Sequence, residues 1–306
     1  EYAAEWLPTY KNEVTAKVYD DYVARLNKIA SILPKVEMRL ITPSDIQRLY
    51  NAFSNYWDST RKKVAMTTKA VFRAALGDGI IVKNPCENIK PAKGKAGTHR
   101  NLEDWEVTLI GDTYQETPMG LYAMVMLYAG LRRGEALALN IDRDVDFSAG
   151  VIHVRHSLRF EHSKSIIVQP KTKAGVRDVP LFPPLREALT GRHGNVFSLP
   201  AGKNISLGLW NAEWQRYLRF LSTVAQKEVA IRQHDCRHTF ATMLYDADVD
   251  VKTATKWMGH ANEMMIMRIY AHLTEKKEES AIERVESALA KRPSSQNGSQ
   301  KIRKAP

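Results

Sequence analysis

Cysteine is scarce in this chain of 306 residues: only Cys86 and Cys236 occur. Two thiols are too few for a disulfide scaffold or a four-thiolate zinc site, and the usage fits a reducing, cytoplasmic compartment. Long apolar runs are missing too. The longest, Gly120 to Leu131, has 12 residues, short of the roughly 18 that a spanning helix requires, so no membrane segment is expected. There is no signal peptide, and Glu1 rather than a methionine leads the sequence, so a longer native chain with a further N-terminal part is expected. No Gly-rich phosphate loop closes on Lys-Ser or Lys-Thr. No paired carboxylates accompany the motifs described below, so neither ATP use nor metal-assisted hydrolysis finds support, and no metal or cofactor is expected. With 44% hydrophobic and 26% charged residues, the body of the chain is globular rather than disordered or rod-like.

What is plentiful is positive charge. The net charge is +11 and the pI near 9.5, which points to a polyanionic partner such as DNA or RNA. Two segments hold +9 of it: Lys83 to Arg100, with Lys83, Lys90, Lys93, Lys95 and Arg100 against Glu87 alone, and Lys291 to Pro306, with five cations and no anion. The tail, rich in Ser, Gln and Asn, has the composition of a disordered segment.

Periodicity divides the rest. Residues 1 to about 91 read as helical: Ala16 to Ala30 is amphipathic, and Thr42-Pro43-Ser44-Asp45 has the form of a helix start before Ile46, Leu49, Tyr50 and Phe53. Asn55 to Leu76 gives a further helix whose apolar stripe lies beside Lys62, Lys63, Lys69 and Arg73. Residues 92–100 have linker composition. Asn101 to Asp104 caps the next helix, and the apolar run follows. Val151 to Arg155 alternates, while Ile166 to Val168 and Val176 to Leu181 flank Lys171-Thr172-Lys173-Ala174-Gly175, which has the form of a hairpin turn. From Ile205 the pattern is helical again, with Phe240, Met243, Leu244 and Ala247 as a buried stripe. The expected fold is mainly α with a small antiparallel β-sheet.

Chemistry concentrates in the second half. His234 and Arg237 stand at i, i+3, spaced to grip one anion together, on the face expected to lie opposite Phe240 and Met243. Alone this pair says little. It is preceded by Gly130-Leu131-Arg132-Arg133-Gly134-Glu135 and by Lys171, and followed by Gly259-His260 and Ile269-Tyr270-Ala271-His272. Two guanidiniums, Arg132 and Arg237, can neutralise the charge that builds on a phosphodiester under attack, the work metals do elsewhere. A tyrosine hydroxyl is a nucleophile that can also leave, so the bond energy is kept in a phosphotyrosine ester.

This ordered set resembles the tyrosine recombinase (phage integrase) family, most closely the integrases of conjugative transposons and temperate phages, over about residues 1 to 290. The resemblance implies a helical core-DNA-binding domain (1–91), a basic linker (92–100), a catalytic domain of the DNA breaking-rejoining fold (101–274) and a C-terminal helix with a basic tail (275–306). It implies a bacterial, site-specific recombinase that integrates or excises a mobile element through a 3′-phosphotyrosine intermediate. By that resemblance Tyr270 is expected to attack, Arg132 and Arg237 to hold the phosphate, Lys171 to protonate the leaving 5′ oxygen, with Lys173 as the alternative, His234 to handle protons, His260 to donate a hydrogen bond to phosphate, and Glu135 to orient the first arginine box. The spacing of ten residues from His260 to Tyr270 is one longer than in many members. Lys62, Lys63, Lys69, Arg73, Lys90, Lys93, Lys95, Arg100, Arg133 and Lys173 are the expected DNA contacts. The implied partners are double-stranded DNA, further copies in a homo-tetramer on two DNA sites joined by exchange of the helix carrying Ile282, Val285 and Leu289, and accessory excision or DNA-bending proteins. A type IB topoisomerase and a non-cleaving regulator on the same fold are the competing functions.

Overall fold

The computed structural model describes residues 1–10, 14, 16–94, 100–161, 164–170, 173–197 and 205–290. The chain divides into two compact units, Glu1–His99 and Arg100–Pro306. The described part is mainly helical with small antiparallel sheets.

The first unit contains α1 (Tyr2–Trp6), α2 (Ala16–Ala30), α3 (Pro43–Ala52) and α4 (Asp58–Gly77). The start of α3 follows from its sequence: the Thr42 side chain accepts from the Asp45 N–H, and the Asp45 carboxylate accepts from the Thr42 N–H at 2.9 Å, with Pro43 supplying the φ of the first turn. Ile46, Leu49, Tyr50 and Phe53 are then all buried, against Leu26 and Ile29 of α2 and Val64, Val71, Phe72 and Ala75 of α4. Each such side chain withdrawn from water is worth about 1.5–3 kcal/mol. The outer face of α4 keeps Lys62, Lys63 and Arg73 exposed. The start of the linker is fastened to this helix, because buried Arg61 donates to the Lys93 carbonyl at 3.1 Å and the Gly94 N–H donates to Asp58 at 3.3 Å.

The second unit is built around α6 (Pro118–Ala129). Apart from Pro118 and Tyr128 every residue of α6 is buried, the pattern of a helix with no solvent face. Around it pack α5 (Asp104–Thr113), α9 (Pro183–Leu189), α10 (Leu207–Ala225) and α11 (Gln233–Asp246). Short helices α7 (Arg133–Ala138) and α8 (Ile141–Asp144) lead into the strands, and α12 (Val251–Met258) and α13 (Met264–Ala290) close the described chain.

The strands correct one expectation. β1 (Val145–Asp146), β2 (Val151–Val154) and β5 (Arg177–Pro180) form one antiparallel sheet in the order β1-β2-β5, while β3 (Ser157–Glu161) and β4 (Lys164–Val168) form a separate hairpin. The segments on either side of Lys171 to Gly175 therefore do not pair with each other. Burial explains the choice: inward-facing Ile152 and Val154 of β2 need inward partners, and β5 supplies Val179 and Arg177 in register, whereas β4 is exposed at Ile166 and Ile167 and pairs with its neighbour in sequence. The connection from β4 to β5 carries a 3-10 turn, Lys173–Gly175, instead of a hairpin turn.

In the C-terminal region one helix spans the expected boundary. No break separates residues 274 and 275: α13 runs unbroken for 27 residues, since neither Gly nor Pro occurs between Met264 and Ala290 to interrupt it. The basic tail from residue 291 lies outside the described residues.

Candidate active site

Two glycines shape the site. Gly130 ends α6 at φ +58°, and a Cβ there would lie 2.3 Å from Phe240 Cδ1 and 2.9 Å from Met258 Sδ. Gly259 ends α12 at φ +65°, and its Cβ would lie 2.7 Å from an Arg177 guanidinium nitrogen. Both positions combine a left-handed backbone with an approach that excludes any side chain.

Arg132 follows as the N-cap of α7. Its backbone N–H and its Nη1 both donate to Glu135, each at 2.9 Å, and its Nη2 donates to the Gly259 carbonyl at 2.5 Å. Arg237 is buried on α11 and donates to the Gly130 carbonyl, to the Met258 carbonyl at 2.5 Å and to His260 Nε2 at 2.9 Å. The two guanidiniums, far apart in sequence, thus rest on consecutive carbonyls, Met258 and Gly259. This corrects the expected face of Arg237. Steps of three, four and seven place Arg237 on the same side as Phe240, Ala241 and Leu244, all buried, so the arginine is the polar head of the apolar stripe, while His234 is exposed. The His234 ring stands 6.1 Å from that of His238, edge to face.

The electrostatics are those of an anion site. Burial, then the charges of Arg132 and Arg177, lower Arg237 to about 9, opposed by Glu135. Burial works to raise Glu135, but the hydrogen bonds and charges of Arg177 and Arg132 outweigh it and hold the carboxyl at about 2. His260 is buried and pushed down to about 3, by desolvation first and then by the surrounding arginines, so it is neutral. A guanidinium only donates, so His260 Nε2 accepts and the ring hydrogen sits on Nδ1, a buried atom with no hydrogen-bond partner among the described residues.

Tyr270 lies near the start of α13. Its hydroxyl donates to the Val249 carbonyl at 3.1 Å, and its ring meets that of Tyr245 edge to face at 5.0 Å. Burial, then the nearby Asp250 carboxylate, raises its phenol to about 12. Arg132, Glu135, Arg237 and His260 therefore converge on one cluster, whereas the Tyr270 hydroxyl is engaged by the turn between α11 and α12.

Of the remaining expected residues, Lys171 and Lys95 lie outside the described residues, and Lys173 is exposed at the start of its 3-10 turn. The Arg133 guanidinium sits over the Phe160 ring at 5.6 Å. Lys62 is paired with Asp58 at 2.6 Å yet stays largely exposed, and together with Lys69, Arg73, Lys90, Met66 and Ala70 it lines a surface hollow of about 500 Å³. Lys63 and Lys93 are exposed. Arg100, an expected DNA contact, places both Nη atoms on the buried Glu106 carboxylate, one at 2.5 Å and the other at 2.6 Å, and Nη2 also reaches the Ala230 carbonyl. Its charge is thus occupied within the second unit. Arg177 is absent from the residues expected at the site. The only hint in the sequence is that it alternates in phase with Val179, which places a cation on the inward face of a core strand.

Known proteins show the same organisation. The profile of the phage integrase family matches residues 101–277, and that of the phage integrase N-terminal SAM-like domain matches residues 1–54. A "Tyrosine recombinase XerC-like" protein of Caldanaerobacter subterraneus is 26% identical over 285 residues, which are 81% of this chain and 71% of that protein. Among solved structures, the Tn1549 transposon integrase in complex with a circular intermediate DNA superposes with a TM-score of 0.76 at 20% identity, over 93% of this chain and 98% of that one. A lambda integrase tetramer bound to a Holliday junction gives 0.63 at 18% identity, over 86% and 77%.

Proposed function

The chain belongs to the phage integrase family of DNA breaking and rejoining enzymes, and from that premise we propose that it recombines specific sites of a mobile element, with Tyr270 as nucleophile and Arg132 and Arg237 as the phosphate clamp. One observation carries this reading: the two arginines are anchored on adjacent carbonyls, Met258 and Gly259, so that one turn fixes both. Among the described residues three of the five N–H bonds of Arg237 are directed at the protein, and the other two are the donors assigned to the nonbridging oxygens of a phosphodiester. His260, whose Nε2 meets Arg237 in the same cluster, donates a hydrogen bond to phosphate, His234 handles protons from the exposed start of α11, and Lys171, with Lys173 as the alternative, protonates the leaving 5′ oxygen. Tyr270 leaves the Val249 carbonyl to attack, forming the phosphorus–oxygen bond as the bond to the 5′ oxygen breaks.

The hollow lined by Lys62, Lys69, Arg73 and Lys90 fits a DNA backbone, with Lys63, Lys93, Lys95 and Arg133 as further contacts. Ile282 and Val285 of α13 are 53% and 58% exposed, an apolar surface suited to a neighbouring copy in a homo-tetramer on two DNA sites. Accessory excision or DNA-bending proteins complete the set of proposed partners. Incubation with a nicked duplex bearing the cognate site tests the core of the reading. A covalent adduct whose digested peptide carries the nucleotide on Tyr270, absent in Tyr270→Phe while DNA affinity changes less than about twofold, is the expected result; an adduct on another residue, or one that chelators abolish, refutes it.

A further inference from the structure

We propose that Arg177 is a positioning residue for strand cleavage: it holds the Arg132 guanidinium in place by locking the Glu135 carboxylate on which that guanidinium rests. This rests on the roles of Arg132 and Tyr270 proposed above.

The Arg177 and Glu135 side chains are 2% and 3% exposed. A buried ion pair is a poor way to gain stability, because removing two charges from water costs several kcal/mol per ion and an apolar pair of similar volume serves a core at least as well. The neighbouring inward position of β5 is the aliphatic Val179, so the strand has no need of a cation there. What the cation supplies is geometry. Its Nη1 and Nη2 donate to Glu135 Oε1 and Oε2 at 3.1 and 2.8 Å, the same two oxygens that accept from Arg132 Nη1 and the Arg132 N–H. The carboxylate is thereby locked on both sides. Without Arg177 it is free to rotate and to let the Arg132 side chain follow. Arg177 Nε donates in addition to the Trp257 carbonyl at 2.7 Å, immediately before the Met258 and Gly259 carbonyls on which the clamp rests, and Gly259 has no side chain where the guanidinium passes. Arg177 also opens β5, four residues beyond Lys173 and six beyond Lys171, with Nη1 reaching back to the Gly175 carbonyl at 3.3 Å. One side chain therefore joins Glu135, the end of α12 and the Gly175 carbonyl.

The test is a double-mutant cycle read by single-turnover covalent capture on the nicked duplex, with DNA affinity and thermal unfolding measured on the same samples. Arg177→Met should slow capture on the order of tenfold to a hundredfold, by analogy with the loss of one oriented donor, with affinity within about twofold. In an Arg132→Ala background the same change should add less than about threefold, because its effect runs through the guanidinium already removed. Arg177→Lys, which keeps the charge but cannot hold both carboxylate oxygens, should fall between, and it carries the cycle if the methionine variant does not fold. Losses that multiply in the double variant, or that track the fraction unfolded, overturn the proposal, as does capture by Arg177→Met within about threefold of the unsubstituted rate. Failure of the unsubstituted protein to form a Tyr270 adduct counts instead against the function proposed above.

Discussion

Glu135 offers the most demanding prediction, because its replacement by glutamine keeps shape and hydrogen-bonding capacity on one oxygen while deleting the carboxylate that touches both Arg132 and Arg177. Its carboxyl is held at about 2 against an ordinary 4.5; that gap corresponds to about 3 kcal/mol of folding free energy at neutral pH. A second route gives a similar size, since breaking a buried ion pair by removing one member costs about 3–5 kcal/mol. The sign follows from the direction of the shift. A carboxyl depressed in the folded state stabilises above its unfolded pKa and ceases to do so as pH falls through its folded one. The deficit of Glu135→Gln should therefore be about 3 kcal/mol at pH 7 and shrink to about 1.5 kcal/mol at pH 3. Urea titrations at the two pH values read this directly: at a slope of about 1–3 kcal/mol per M the midpoint should drop by about 1–3 M at pH 7. A deficit that stays the same at both pH values would mean that packing, not charge, ties Glu135 to the arginines, and would refute the electrostatic account.

His260, neutral with a folded pKa near 3, should make stability fall as pH drops below about 6.5, because the unfolded chain takes up a proton that the folded one refuses; His260→Gln should flatten the urea midpoint between pH 6 and 4, and an imidazole carbon shift that titrates near 6 in the folded protein contradicts the assignment. Replacing Lys62, Lys69 and Arg73 by glutamine should lower the salt slope of DNA binding by about 0.9 for each phosphate left unneutralised, measured by anisotropy across a salt series. An unchanged slope removes that face from the interface.

Legibility in the sequence depends on whether the deciding interaction is local. The start of α3 is written within four residues, Thr42 to Asp45, and the centre of the second unit is announced by a run too apolar to face water anywhere. The pairing of β5 is not legible, because alternation says that a segment is a strand but not which strand receives it, and the true partner, β2, lies more than twenty residues back. The face of Arg237 is hidden for a different reason. A charge three residues before Phe240 reads as solvent-facing, whereas here the carbonyls left unpaired at the ends of α6 and α12 accept its hydrogens and make burial tolerable. Arg177 is obscured on the same ground: its counter-charge, Glu135, is 42 residues away.

The unbroken length of α13 has a mechanical meaning. At about 1.5 Å of rise per residue, Val285 lies about 22 Å along the axis from Tyr270, with no flexible joint between them. The helix is a rod with a phenol near one tip and a greasy handle toward the other. A rod without a joint turns as one piece, so any rigid-body rotation at the Ile282 and Val285 end is also a displacement of the Tyr270 ring at the other.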